Sequence, residues 1–170
     1  DFLLDALEQL SDELDYEFQI LGTGPELERL QRRCADSPKL AKYVVFRGAV
    51  PYEKMEQAYC EADVFVMPSI RETTGTVLLE AMSRGLPVIT VGKFGGAMLL
   101  GEESGWLYDG YDRNTWIDAL KNAMEVCIRD PQEDARKGQA ARVAAEAYTW
   151  ERKNQYYQEI YRKIINKGEG

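Results

Sequence analysis

The feature that most constrains the fold of this chain is the alternation of short apolar runs with helical patterns. Its clearest instance is residues 63–91. Residues 63–68 (DVFVMP) and 87–91 (PVITV) are apolar and bounded by proline, which predicts two buried strands. The segment between them predicts a loop and then a helix that ends at Gly85, because glycine commonly terminates helices. Strand, loop, helix and strand in this order predict two parallel strands joined by a crossover helix.

The same alternation continues through the rest of the chain. Further strands are predicted over residues 16–21, 43–46 and 105–108. Further helices are predicted over residues 2–13, 25–34, from Pro51 onward, 113–128, 132–147 and 149–166. Near-continuous apolar strands suit a sheet buried on both faces. The sequence therefore predicts one α/β domain over residues 1–170, with a Rossmann-like parallel sheet and helices on both faces.

Charge and cysteine content limit the possible partners and the compartment. The chain has 21 basic and 29 acidic side chains, a net charge of −8, without a dense basic run. This argues against nucleic acid and against an anionic membrane surface as partners. No apolar run reaches the roughly 18 residues of a membrane span, and no signal peptide is present. The odd, scattered cysteines Cys34, Cys60 and Cys127 suit a reducing compartment, so we predict a cytoplasmic protein.

The absence of histidine excludes several chemistries within this chain. A histidine-ligated metal, a histidine general base and a Ser-His-Asp triad are all ruled out. Asp109 and Asp112 flank Gly110-Tyr111 without another carboxylate clustered nearby, so residues 109–112 are interpreted as a turn rather than a metal site. We predict no metal and no cofactor.

Two carboxylates, Glu72 and Glu80, bracket the loop and the first turns of the helix that follows residues 63–68. Between them, the backbone N–H groups of residues 73–76 (TTGT) begin the helix and offer a site suited to phosphate. Carboxylates accept hydrogen bonds from sugar hydroxyls. A nucleotide sugar has hydroxyls on either side of a diphosphate, so Glu80 is predicted to bind ribose and Glu72 the transferred sugar. The alternative is that both are ordinary surface charges, although Glu80 lies between Leu79 and Ala81 in an otherwise apolar helix.

Two glycine pairs are weaker candidates for ligand contact. Residues 22–24 (GTG) follow a strand and precede a helix, yet a third glycine is missing and Pro25 interrupts the pattern. A tight turn is the alternative there. Gly95 and Gly96 allow close approach of backbone to a ligand, or form a flexible surface loop. The strand before Arg47 lacks the acidic residue that a dinucleotide-binding dehydrogenase would need.

Taken together, these residues resemble the C-terminal, donor-binding domain of the group 1 retaining glycosyltransferases, which have the two-domain GT-B fold. The similarity covers nearly the whole chain. Its most specific part is Glu72 through Glu80, which matches the Glu-x7-Glu motif of the family and continues to Ile89. Other matching segments are residues 20–25, 45–50, 62–69, 95–96, 104–107 and 149–151.

The resemblance implies roles for particular residues. Glu72 would be the catalytic residue beside the donor sugar, and Glu80 would bind the ribose. The implied substrate-binding positions around them are Thr73, Thr74, Gly75, Thr76, Gly24, Arg47, Gly95 and Gly96. The implied reaction transfers a sugar from a nucleotide sugar to a glycan or lipid-linked acceptor with retention, without a tightly bound metal.

The resemblance also implies what lies outside this chain. An N-terminal domain would complete the enzyme, and the helix over residues 149–166 would cross back to it, so this chain alone is expected to be inactive. The complete protein could touch a membrane surface. Three departures from the family are an Arg/Lys loop that would precede Asp1, Thr73-Thr74 in place of Gly-Phe, and Leu99 where a glutamate is common.

Two other functions fit the same pattern. One is half of a GT-B sugar-nucleotide epimerase, which would need acid and base groups from another domain. The other is a non-catalytic Rossmann-like or receiver-type binding domain. A receiver would need clustered acidic residues at the ends of the early strands, and the strand ends near Pro25 and Gly48 lack them.

Overall fold

The computed structural model describes residues 1–69, 75–93 and 98–167, and it has the predicted mixed α/β architecture. The strands are β1 (Phe18–Leu21), β2 (Val44–Gly48), β3 (Phe65–Met67), β4 (Val88–Val91) and β5 (Gly105–Tyr108). The α-helices are α1 (Phe2–Glu8), α2 (Leu27–Asp36), α3 (Pro38–Tyr43), α4 (Tyr52–Cys60), α5 (Thr76–Ser83), α6 (Arg113–Arg129), α7 (Pro131–Ala145) and α8 (Trp150–Lys167). Short 3₁₀ turns cover Glu102–Ser104 and Glu146–Tyr148. In these residues, no helix combines the length and apolarity needed to cross a membrane.

The strand pairings are parallel, as predicted. Strand β1 pairs with β2, with Phe18 opposite Val44. Strand β4 lies between β3 and β5, with Val88 opposite both Phe65 and Gly105. Within the described ranges, the strands therefore form a two-stranded and a three-stranded group rather than one hydrogen-bonded sheet.

Helices cover both faces of these strands. On one face, α1, α2, α3 and α6 surround a core that includes Leu7, Leu40 and Leu120. On the other face, α4, α5 and α7 surround a second core that includes Tyr59 and Met82. Strand β4 contributes to both cores and is buried along its whole length, with Val88 0% and Ile89 1% exposed. Its burial explains why it is apolar throughout rather than alternating.

The principal difference from the predicted elements is α3. It is a second short helix that begins at Pro38, between the predicted helix over residues 25–34 and the predicted strand over residues 43–46. The Ser37 hydroxyl accepts a bond from the backbone N–H of Leu40, and Pro38 occupies the first turn, where its missing N–H does no harm. Strand β2 accordingly starts at Val44, one residue later than predicted.

A close backbone contact holds α7 against the end of α5. Gly85 has φ +81° and follows the last turn of α5, in agreement with the predicted helix end. Gly138 of α7 lies against it, so that a Cβ at Gly138 would overlap the Gly85 carbonyl oxygen and lie 3.2 Å from the Pro87 side chain. The helix that carries Glu80 is thus packed directly on α7.

Substitution of Gly138 by alanine is expected to destabilise the fold by about 1–3 kcal/mol, because the backbone clash exceeds the gain in helix propensity. The measurement is the urea midpoint. Gln139→Ala, at an exposed position of the same helix, is the control and should stay within about 0.5 kcal/mol of the parent. An unchanged midpoint for Gly138→Ala would show that α7 can move away from Gly85 without loss.

A half-buried carboxylate, that of Asp134, lies in α7. Asp134 Oδ1 is buried and has no hydrogen-bond partner among the described residues, and Cys127 Sγ lies 3.5 Å from Oδ2. Burial, reinforced by the nearby charges of Asp63, Asp130 and Glu133, raises the pKa of Asp134 to about 6. The ionised side chain is therefore a source of instability at neutral pH.

Since the folded pKa of Asp134 lies above its ordinary value of 3.8, the folded state keeps the proton to higher pH. The stability that the protonated Asp134 gives the folded state is fully present below about pH 4 and is lost as the pH rises through about 6. We expect Asp134→Asn to stabilise the protein by on the order of 1 kcal/mol at pH 8, after allowance for solvent screening, and by much less at pH 4. Urea unfolding at both pH values tests this, and an equal difference at the two would contradict it.

Candidate functional site

The candidate site lies at the C-terminal end of β3, where α5 begins. This is the edge at which open α/β sheets bind ligands. Gly75 precedes the first turn of α5 with φ +61° and ψ +31°, a left-handed conformation that favours glycine. A Cβ there would also lie 2.9 Å from the Leu99 side chain and 3.1 Å from that of Leu78. Thr76 is the first residue of the helix, so the predicted loop-to-helix junction is present.

Several predicted site residues lie outside the described residues. They are Glu72, Thr73, Thr74, Gly95 and Gly96. Gly75, Thr76, Glu80, Gly24 and Arg47 lie within them.

Glu80 is a half-buried carboxylate held by a buried tyrosine. It lies on the second turn of α5, and its Oε2 accepts a hydrogen bond of 3.0 Å from the hydroxyl of Tyr59 in α4. Tyr59 is only 5% exposed. Glu80 is therefore not a freely solvated surface charge, which was the alternative interpretation of this position.

The carboxylate of Glu80 has no described ion pair, because the nearby Arg84 pairs with Glu56. Arg84, one turn further along α5, donates from Nε to Glu56 Oε2 at 2.9 Å. Its Nη1 donates to the backbone carbonyl of Glu80 at 3.2 Å rather than to the carboxylate. Among the described contacts, the side-chain carboxylate of Glu80 is thus held by a neutral donor.

Burial raises the pKa of Tyr59 to about 12, and the hydrogen bond to Glu80 and the charge of that carboxylate add to the effect. Tyr59 therefore remains protonated, and remains a donor, throughout the neutral pH range. The pairing of Glu56 with Arg84 raises the pKa of the Arg84 guanidinium, which stays charged.

Gly24 and Arg47 belong to the other pair of strands. Arg47 is exposed, and its Nε donates to Gln19 Oε1 at 3.3 Å. Gly24 follows β1 with open space around it and without a left-handed φ. The glycine that this turn requires is instead Gly22, at φ +122°, whose N–H donates to the Gly48 carbonyl at 2.7 Å. Among the described hydrogen bonds and ion pairs, none joins Gly24 or Arg47 to Glu80.

Two other polar clusters are occupied by internal contacts. A surface depression of about 550 Å³ is lined by arginines of α2 and by acidic residues, and Arg33 there pairs with Asp5 at 2.6 Å and with Glu8 at 2.8 Å. In the 109–112 segment, Asp109 pairs with Lys93 at 2.8 Å, and Asp112 caps α6 by accepting from Thr115 N–H. Residues 109–112 thus connect β5 to α6, and the helix cap at Asp112 was not predicted.

Sequence reasoning missed the part played by Tyr59. Its ring lies with Met55 on the apolar face of α4, as their helical spacing indicates. Its hydroxyl partner comes from α5, 21 residues further along the chain. The only signal available in the sequence was a tyrosine, rather than a phenylalanine, at a buried position, because a buried phenol normally has a hydrogen-bond partner.

Comparison with known sequences gives a consistent family. The profile described as "Glycosyl transferases group 1" matches residues 1–125. The chain is 32% identical over 152 residues to the sulfoquinovosyl transferase SQD2 of Arabidopsis thaliana. It is 36% identical over 152 residues to the GDP-mannose-dependent alpha-(1-6)-phosphatidylinositol monomannoside mannosyltransferase of Mycolicibacterium smegmatis. These matches cover 86% and 84% of this chain but only 28% and 38% of the relatives.

Comparison with solved structures gives the same fold. Sucrose-phosphate synthase from Thermosynechococcus elongatus superposes with a TM-score of 0.79 at 28% identity, covering 97% of this chain and 42% of that protein. The pneumococcal O-GlcNAc transferase GtfA, solved with UDP and GlcNAc, superposes with a TM-score of 0.81 at 19% identity. That match covers 97% of this chain and 33% of GtfA, and at this identity it shows the fold alone.

Three observations point to the same family. They are the parallel strands covered by helices on both faces, the loop-to-helix junction at Gly75 and the profile match over residues 1–125. This chain belongs to the group 1 glycosyltransferases.

Proposed function

We propose that this chain binds the nucleotide-sugar donor of a retaining glycosyltransferase. The observation that carries the proposal is the half-buried Glu80 carboxylate, fixed by the Tyr59 hydroxyl on the helix that starts after the C-terminal end of β3. A fixed carboxylate at this edge accepts the paired hydroxyls of a ribose, while the start of α5 favours the diphosphate.

The relatives support the class of ligand. One of them is named as GDP-mannose-dependent. A hexosyl group transferred from a nucleoside diphosphate fits this name. In this proposal Glu72 lies beside the donor sugar, and residues 73–76, Gly95 and Gly96 contact the diphosphate and the sugar. Gly24 and Arg47 approach the base and diphosphate from β1 and β2.

The proposed reaction needs no cofactor. The donor already has an activated anomeric carbon, and the transfer needs a stabilised diphosphate leaving group rather than a redox centre or a covalent cofactor. The acceptor proposed is a glycan or a lipid-linked sugar. A relative named as a phosphatidylinositol monomannoside mannosyltransferase supports the lipid-linked option. We propose a cytoplasmic protein that touches the membrane surface when its acceptor is lipid-linked.

The rest of the enzyme lies in another domain. The chain spans about a third of the length of these two curated relatives. Helix α8 carries exposed apolar side chains, with Trp150 82% and Ile164 62% exposed, which suits a helix that packs on a further domain. Residues 1–170 alone are accordingly expected to bind donor without transferring sugar, and transfer by this isolated chain would contradict this.

Substitution of Glu80 by alanine or glutamine is expected to weaken nucleoside diphosphate binding about tenfold or more, because the charged acceptor for the ribose is lost. Calorimetric titration with UDP, GDP and ADP, and with their sugars, measures this and identifies the base. Glu53→Gln, at an exposed position of α4, is the matched control and should leave the affinity unchanged. Retained affinity in both Glu80 variants would show that this carboxylate does not bind ribose.

A further inference from the structure

We propose that Tyr59 is a positioning residue of the donor site, whose hydroxyl orients the Glu80 carboxylate toward the ribose hydroxyls of a nucleoside diphosphate. The inference rests on the proposed function, since it concerns how Glu80 is presented to that ligand. Its physical basis is the 3.0 Å bond from the Tyr59 hydroxyl to Glu80 Oε2.

The tyrosine ring has little freedom to move. It is 5% exposed and lies 6.0 Å, centroid to centroid, from the ring of Phe65 in β3. It belongs to the same apolar core as Leu78 and Met82 of α5. Side chains in a close-packed core occupy defined rotamers, so the hydroxyl at the end of this ring is held at one point. A glutamate by contrast has three rotatable bonds, and fixing it before the ligand arrives lowers the entropic cost of binding.

The charge of the hydrogen-bond donor to Glu80 matters as well as its position. The guanidinium of Arg84 lies 5.6 Å from the Tyr59 ring centroid and would neutralise Glu80 if it turned toward it. Its described ion pair is instead with Glu56. A neutral phenol bonded to one carboxylate oxygen leaves the negative charge on Glu80, and an ionised carboxylate has about four acceptor positions. Because the pKa of Tyr59 is raised to about 12, the phenol remains a donor at any pH near neutrality.

This arrangement predicts a specific loss in Tyr59→Phe, which removes the hydroxyl and keeps the ring. In the full natural chain, UDP or GDP affinity should fall about three- to tenfold, the effect of one lost hydrogen bond. Affinity for the matching 2′,3′-dideoxynucleoside diphosphate should stay unchanged, because that probe has no ribose hydroxyls for Glu80 to accept. The ratio of the two affinities, measured by calorimetry, is therefore the readout, and a general loss of folding would lower both affinities together.

Two controls separate positioning from packing. Tyr52→Phe removes a hydroxyl from an 80% exposed tyrosine of the same helix and should change neither affinity. Tyr59→Phe placed on Glu80→Gln should bind no more weakly than Glu80→Gln alone, since a residue that acts through Glu80 has no effect once that carboxylate is gone. Thermal melting of each variant reports whether the fold is intact.

The outcomes distinguish the inference from the function on which it rests. If the affinity for UDP or GDP, relative to that for the dideoxy probe, falls in Glu80→Gln but not in Tyr59→Phe, the positioning role is overturned and the donor site remains. A ratio unchanged in Glu80→Gln, or no binding of UDP or GDP by the parent protein, would overturn both. Additive losses in the double variant would show that Tyr59 acts by another route.

Discussion

The burial of β4 on both faces is the constraint on which the rest of the structure depends. Val88 and Ile89 point to opposite cores, and both are almost fully covered. Covering two faces of a parallel strand requires helices on each side, and parallel strands require crossover helices in any case. The same crossovers bring the C-terminal strand ends to one edge, which is the edge where open α/β sheets bind ligands.

The helix that carries Glu80 is fixed at both ends by glycine. At its start, Gly75 has a left-handed conformation and the side chains of Leu78 and Leu99 close over it. At its end, Gly85 turns the chain, and Gly138 of α7 lies against its carbonyl. A helix held at two points presents its side chains reproducibly, and this suits a site that must hold a flexible, polar ligand in one orientation.

The groups packed around Glu80 differ between its buried and its exposed side. The core of α4, α5 and α7 holds the Tyr59 ring, and the phenol reaches the carboxylate from the apolar side. Arg84 and Glu56 pair on the exposed side, where water screens them. The half-buried carboxylate therefore lies between the apolar core, from which Tyr59 donates its hydrogen bond, and the solvent-exposed surface.

Local patterns were enough to predict the α/β class and the strands around residues 63–91, because periodicity and turn residues act over a few positions. They were not enough for α3, a short helix that the Ser37 cap and Pro38 begin between two predicted elements. The ligand-binding role of Glu80 stays a prediction. Glu72 lies outside the described residues, and its role stays a prediction. By itself, the sequence determined which elements form and which carboxylates are candidates. Only the tertiary structure decided that Glu80 is held by Tyr59 and that Arg84 pairs with Glu56, because those contacts join side chains 21 and 28 residues apart through a shared core and surface.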